Sequence, residues 1–234
     1  MIEYASQPHY LVAVDCIVFG FEEGRLKLLL VKRGLEPEIN QWSLIGGFVG
    51  AAESTDDAAV RVLKKNTGLD GIYLEQLQVY SKPNRDPIER TLSVAYFALI
   101  DIQKYSTQLN TDYQAEWFLI NESPQLIFDH NIMVEDARKR LRYKAALHPI
   151  LFELLPKKFT LPQLQLLFEE VNDTKIDTGN FNRKMNSTGL LIRLEEKDKS
   201  SSKKGAYYFK LNRKRYQSDF HLILNLIPSL KLDL

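Results

Sequence analysis

The chain has 234 residues, more than the roughly 100 to 200 of one domain, and its 44% hydrophobic and 26% charged residues are ordinary for a soluble globular fold. The single cysteine, Cys16, excludes an internal disulfide, and the four scattered histidines make no zinc pattern. No apolar run approaches the roughly 18 residues of a membrane span and Met1-Ile-Glu-Tyr opens no signal peptide, so a cytoplasmic protein without membrane partners is expected.

Short apolar runs rich in Val, Ile, Leu and Tyr predict strands over Leu11–Phe19, Leu26–Lys32, Tyr73–Tyr80 and Thr91–Ile100. Cys16 reads as a small buried hydrophobe, and Asp15 beside it as a buried acid that needs a partner. Ser54–Asn66 has the helical spacing Ala58, Ala59, Val62, Leu63, with Ser54 or Thr55 to cap it and Gly68 beyond its end. A second helix is predicted over Asn131–Ala146, with His130 and His148 flanking it as capping or packing residues. Strands with helices packed on them make a mixed α+β domain over residues 1–156.

A charge asymmetry separates the rest of the chain. Up to Pro156 there are 16 Lys and Arg against 21 Asp and Glu, a balance of −5, and the remainder has 15 against 9, a balance of +6. The second part, 157–234, is therefore the one expected to meet a polyanion. Phe159–Val171 predicts an amphipathic helix, with Thr160 as N-cap and Pro162 in the first turn. Thr178–Gly189 predicts another, with Phe181 and Met185 facing inward. That leaves Asn180, Asn182, Arg183, Lys184 and Asn186 mostly outward, and Asn and Arg are residue types suited to base edges and phosphates. Leu190–Glu195 and Gly205–Leu211 then read as two strands joined by a Lys- and Ser-rich tip, where Lys203 and Lys204 reach for a phosphate backbone. Helix, turn, helix and wing together predict a winged helix-turn-helix domain that binds double-stranded DNA.

The segment from Gly47 carries the remaining chemistry. Gly47, Glu53, Arg61, Leu63, Gly68 and Leu69 stand at the spacing of the Nudix hydrolase signature, with no insertion, and Lys32-Arg33 and Trp42–Phe48 precede them. The domain thus resembles a Nudix domain. In that family three further glutamates complete a face that binds divalent cations, and their positions are held here by Val62, Lys65 and Asn66. Spaced i, i+3, i+4, these share one helix face. Mg²⁺ wants hard anionic oxygens. A hydrophobe, an ammonium and an amide do not supply them, and Lys65 repels the ion: two unit charges about 4 Å apart interact by roughly 4 kcal/mol at an effective dielectric of 20, doubled for a divalent cation. Asp56 and Asp57 lie too far toward the helix start to compensate, and Glu53 is left as a structural contact. The expectation is no metal, no cofactor, no catalytic residue and no hydrolase activity.

A lost metal site followed by a winged helix resembles the Nudix-related transcription regulators. Val14–Gly20, Trp42–Val49, Arg85-Asp-Pro87 and Leu161-Pro-Gln-Leu-Gln165 are most similar to the arabinose-utilisation branch. That resemblance implies a homodimeric repressor on a two-fold operator, its Nudix-like domain sensing a pentose such as L-arabinose. The groups expected to hold the effector are Asp15, Lys32, Trp42, Asp86 and Arg90. The alternative is the sister branch, which answers to ADP-ribose and controls NAD metabolism; there Lys32, Lys65, Lys82, Arg85 and Arg90 would surround a pyrophosphate. A Nudix hydrolase with residual activity is the other class left open.

Overall fold

The computed structural model describes residues 4–109, 114–199 and 204–218, which form two compact units. One takes the chain up to Val18, Leu28–Ala98 and Thr107–Glu135; the other takes Phe19–Lys27, Leu99–Ser106 and the chain from Asp136 onward. Among the described residues no helix is long and apolar enough to cross a membrane.

Seven strands make one sheet: β1 (Leu11–Glu22), β2 (Arg25–Lys32), β3 (Trp42–Ser43), β4 (Ile45–Phe48), β5 (Glu75–Tyr80), β6 (Thr91–Asp101) and β7 (Ala115–Leu119). Its order is β3-β2-β1-β6-β5, with β4 added to β1 and β7 to β2. β1 is buried continuously from Val14 to Phe21, which explains why it reads as an unbroken apolar run and not an alternating one. The strand expected from Tyr73 begins only at Glu75, after Gly71 has turned the chain at φ 66°.

Three helices accompany the sheet strands in chain order: α1 (Thr55–Thr67), α2 (Ile102–Tyr105) and α3 (His130–Leu147). α1 starts in a capping box, with the Ser54 hydroxyl accepting from the Asp57 amide and the Asp57 carboxylate accepting from the Ser54 amide. It ends at Gly68, whose φ of 80° suits a residue without Cβ. Ala58, Ala59, Val62 and Leu63 are its buried face, and the Cys16 thiol points to the Ala59 carbonyl at 3.7 Å. Burial, with Asp15 beside it, pushes that thiol far above its ordinary pKa, so Cys16 is the inert hydrophobe expected of it.

The second unit contains β8 (Phe159–Thr160), α4 (Leu161–Asn172), α5 (Thr178–Ser187), β9 (Leu191–Asp198), β10 (Ala206–Leu211) and α6 (Arg213–Ser218). β8, β10 and β9 form an antiparallel sheet in that order. The predicted N-cap Thr160 is in place, in a capping box with Gln163 and with Pro162 in the first turn. Leu164, Leu167, Phe168, Phe181, Met185 and Leu190 are fully buried, and the rings of Phe168 and Phe181 meet edge to face at 5.5 Å. Burying such side chains stabilises this small core by about 2 kcal/mol each. The architecture is a Nudix-like mixed sheet with packed helices, followed by a winged helix-turn-helix.

Candidate functional site

A cleft of about 450 Å³ opens in the first unit. Its walls come from the ends of β1 and β2, from β4, from α1 and from the 85–91 connection. The antiparallel pairing of β4 with β1 sets Gly46 opposite Asp15 and Gly47 opposite Val14. A Cβ on Gly46 would stand 2.4 Å from Asp15 Oδ1, and one on Gly47 would stand 2.8 Å from Val62 Cγ2. Both glycines are required because side chains of the cleft close down onto them.

Buried polar groups line the cleft. The Ser93 hydroxyl donates to Asp15 Oδ2 at 2.5 Å, Arg85 Nη2 lies 3.7 Å from the same oxygen, and His130 Nε2 lies 3.6 Å from Asp15 Oδ1. Arg85 is itself held by both oxygens of Asp129, at 2.7 and 3.1 Å. His130 Nδ1 accepts from the Leu44 amide at 3.2 Å, leaving the proton on Nε2, toward Asp15. Burial lowers the His130 pKa below its ordinary value; Asp15 and Asp129 pull it upward, while Arg85 and Arg33 push it down. The imidazole is thus neutral near pH 7.

Five cationic side chains, Lys32, Arg33, Arg61, Lys65 and Arg85, line this space, against two acids, Asp15 and Asp86. Arg33 Nε is tied to the Leu35 and Pro37 carbonyls at 3.0 and 2.7 Å. Arg61 is held by Glu53, with Nε donating to Oε2 at 2.8 Å, and also donates to the Phe48 carbonyl at 2.9 Å. Glu53 Oε1 further accepts from the Gly50 amide at 2.6 Å. Those two bonds, Arg61 first, hold the Glu53 carboxyl down at about 2. Asp57 is engaged in the capping box, and Asp56 accepts from Tyr96 Oη at 2.5 Å. The residues present do not fit a Nudix metal site: Val62, Lys65 and Asn66 all line the cleft where carboxylates are needed. Among the described residues no group of three or more His, Cys, Asp or Glu is arranged to hold a metal ion.

Of the residues expected to hold an effector, the structure brings Asp15, Lys32 and Asp86 to the cleft. Trp42 and Arg90 do not line it. β3 pairs with β2 so that Trp42 faces Lys32 across the ladder, its ring packs edge-on against Phe118 at 4.7 Å, and the Lys32 ammonium lies 5.2 Å above it. Trp42 therefore positions Lys32. Arg90 lies over the Tyr10 ring at 5.3 Å and donates to the Lys82 carbonyl at 3.1 Å. Of the alternative set, Lys32, Lys65 and Arg85 line the cleft, whereas Lys82 and Arg90 do not. Arg33, Thr91 and His130 were not foreseen there; His130, read as packing, does pack, but its ring also faces the cavity.

In the second unit, α5 presents Arg183 and Asn186 to solvent. Asn180, Asn182 and Lys184 are half-exposed, and the Asn182 Oδ1 is buried without a partner among the described residues. Asn180 Oδ1 accepts from Arg183 Nη2 at 2.9 Å, which fixes the guanidinium along the helix. On the wing, Lys204 is exposed, and Lys203 lies outside the described residues. Arg193 and Lys197, which the sequence did not single out, both pack on the Tyr207 ring, at 4.5 and 4.3 Å.

These two sites can now be set beside known proteins. Residues 9–137 match the NUDIX domain family, and residues 151–211 match the NrtR DNA-binding winged helix domain. The chain is 31% identical over 226 residues to the ADPR responsive transcriptional repressor NtrR of Acinetobacter baylyi, covering 94% of this chain and 89% of that protein. It is 36% identical over 135 residues to the ADP-ribose pyrophosphatase of Methanocaldococcus jannaschii, covering 57% of this chain and 76% of that one. The crystal structure of Shewanella oneidensis NrtR complexed with a 27mer DNA superimposes with a TM-score of 0.76 at 29% identity, over 88% of this chain and 95% of that one. None of these relatives supports the arabinose branch. The chain belongs to the Nudix family, in the NrtR-like form that joins a Nudix domain to an NrtR winged helix domain.

Proposed function

We propose that this protein is a DNA-binding transcriptional repressor whose Nudix cleft binds ADP-ribose without hydrolysing it, and that occupancy of the cleft releases the operator. One observation carries the reading: the α1 face that would bind metal lines the cleft as Val62, Lys65 and Asn66, with Lys32, Arg33, Arg61 and Arg85 lining the same space. Such a cleft suits a ligand with two phosphates and has no carboxylate cage with which to activate water. The relative in Acinetobacter baylyi is named as an ADPR responsive transcriptional repressor, which favours the same reading. The pentose reading counted Trp42 among the groups that hold the sugar, and Trp42 does not line the cleft. A ligand that favours one arrangement of the repressor shifts the population able to grip DNA, and a sensor that leaves its effector intact reports on it for longer. The reading includes a homodimer on a two-fold operator, because dimers of such domains read paired half-sites.

The test is calorimetry of the free protein against ADP-ribose, L-arabinose and xylose, followed by gel shifts on the DNA upstream of its own gene. ADP-ribose is expected to bind and to dissolve the shifted complex, and the pentoses to do neither. Release by a pentose, with no response to ADP-ribose, would contradict the proposal.

A further inference from the structure

In the Nudix pattern this face of α1 carries the glutamates that bind divalent cations. Here the wall formed by α1 and its preceding loop has no free carboxylate left for one. Val62 is 2% exposed and closed onto Gly47. The Asn66 amide is turned to the Gly46 carbonyl at 3.4 Å, presenting a donor to the backbone. Glu53 has both oxygens engaged by Arg61 and one also by the Gly50 amide. Arg61 in turn spends its guanidinium on Glu53 and the Phe48 carbonyl, and Arg85 spends its own on Asp129.

Lys65 differs from every one of these. It is exposed, it lines the cleft, and it has no hydrogen-bond or ion-pair partner among the described residues. It lies one turn after Arg61 and Val62 on α1, on the face where the signature places a glutamate. Lys32, held over Trp42, lines the same cleft.

We infer that Lys65 is a tethered replacement for the divalent cation: its ammonium binds the diphosphate of the ligand directly, so that the cleft takes nucleoside-diphosphate ligands without metal. This rests on the reading of the cleft as a diphosphate site. An ammonium at the end of a four-carbon stem supplies charge and three donors without needing carboxylates to hold it. It also disfavours entry of a divalent ion beside it. Binding then survives chelation, and no ion is present to generate a nucleophilic water. A retained fold, a retained loop glutamate and a reversed helix face are thereby parts of one change: the acid that remains, Glu53, now positions Arg61.

The experiment is titration calorimetry of the full chain with two probes, ADP-ribose and inorganic pyrophosphate, in EDTA, with ADP-ribose repeated in Mg²⁺. Wild type is expected to bind both probes in EDTA, and Mg²⁺ to leave ADP-ribose affinity unchanged or weaker. Lys65→Ala should weaken both probes in EDTA by about 10- to 100-fold, the worth of one charge-assisted hydrogen bond. Lys65→Glu should abolish binding in EDTA, and Lys65→Arg should stay within a few-fold of wild type. Because Lys65 is exposed, melting temperatures of all three should match wild type. ADP-ribose binding that appears only with Mg²⁺, or an unaltered Lys65→Ala, overturns the inference while leaving the proposed function standing. Pyrophosphate binding through Lys65 with no response to ADP-ribose does the reverse. Failure of both probes in EDTA overturns the inference.

Discussion

Asp15 in the first unit and Glu169 in the second are both buried carboxylates, and they are held in opposite ways. Glu169 accepts from the Gln165 amide at 2.9 Å, from Lys175 Nζ at 2.9 Å and from the Ile176 backbone amide at 3.1 Å, all within seven residues of itself. Burial pushes its carboxyl up, but these three donors outweigh it and leave the pKa below its ordinary value. Asp15 has one short bond, from Ser93, and two longer contacts, from Arg85 at 3.7 Å and His130 at 3.6 Å, and it faces a cavity. A carboxylate whose acceptor sites are filled locally is a staple, here fastening the α4–α5 connection. One whose partners stand back beside open space keeps acceptor capacity for a ligand.

The comparison breaks first, and most severely, at Glu169. Glu169→Ala should cost about 2 kcal/mol of stability and abolish tight operator binding, because the connection that orients α5 loses its anchor; urea unfolding and gel shifts read the two effects. The sign with pH follows from a depressed carboxyl: the contribution of Glu169 is full above its unfolded pKa near 4.3 and lost as pH falls through its lower folded value, so Glu169→Gln should flatten acid unfolding there. Asp15→Asn should instead leave operator binding intact and weaken ADP-ribose by about tenfold, as one charged acceptor for ligand hydroxyls is lost. An Asp15 variant that unfolds the protein while binding ligand normally would collapse the distinction.

Smaller effects sharpen it. Arg183→Ala should lower operator affinity about fivefold more than affinity for random DNA, as for a base-edge contact, whereas Lys204→Ala should weaken both by a few-fold and reduce the salt slope by about one. The smallest change is expected at His130. Burial keeps it neutral when folded, so an unfolded chain takes up the proton first, and stability should fall as pH drops below about 6.5. His130→Gln should remove that slope in a pH series of thermal melts.

How far the sequence carries depends on the range of the forces involved. Val62, Lys65 and Asn66 could be placed on one face in advance, because helical spacing is local and the capping box at Ser54 fixes where α1 begins. Thr160, Phe181 and Met185 were legible for the same reason. That Trp42 and Arg90 do not line the cleft was not legible, because where such side chains pack is set by distant partners, Phe118 for one and Tyr10 for the other. Glu169 escaped notice since periodicity counts apolar positions, and a buried acid on an apolar face shows only through donors such as Lys175 that fold back to it. The two-residue strands β3 and β8 are too short to leave a pattern at all.

The central claim, a Nudix cleft turned into a metal-free sensor, is tested most directly by following one sample two ways. The protein bound to fluorescent operator DNA is titrated with ADP-ribose in EDTA, then in Mg²⁺, while anisotropy reports the complex and chromatography reports the nucleotide. Release in both buffers, at similar concentrations and with the ADP-ribose recovered intact, is the predicted result. Release that requires Mg²⁺, or the accumulation of AMP and ribose 5-phosphate as the complex dissociates, would contradict it.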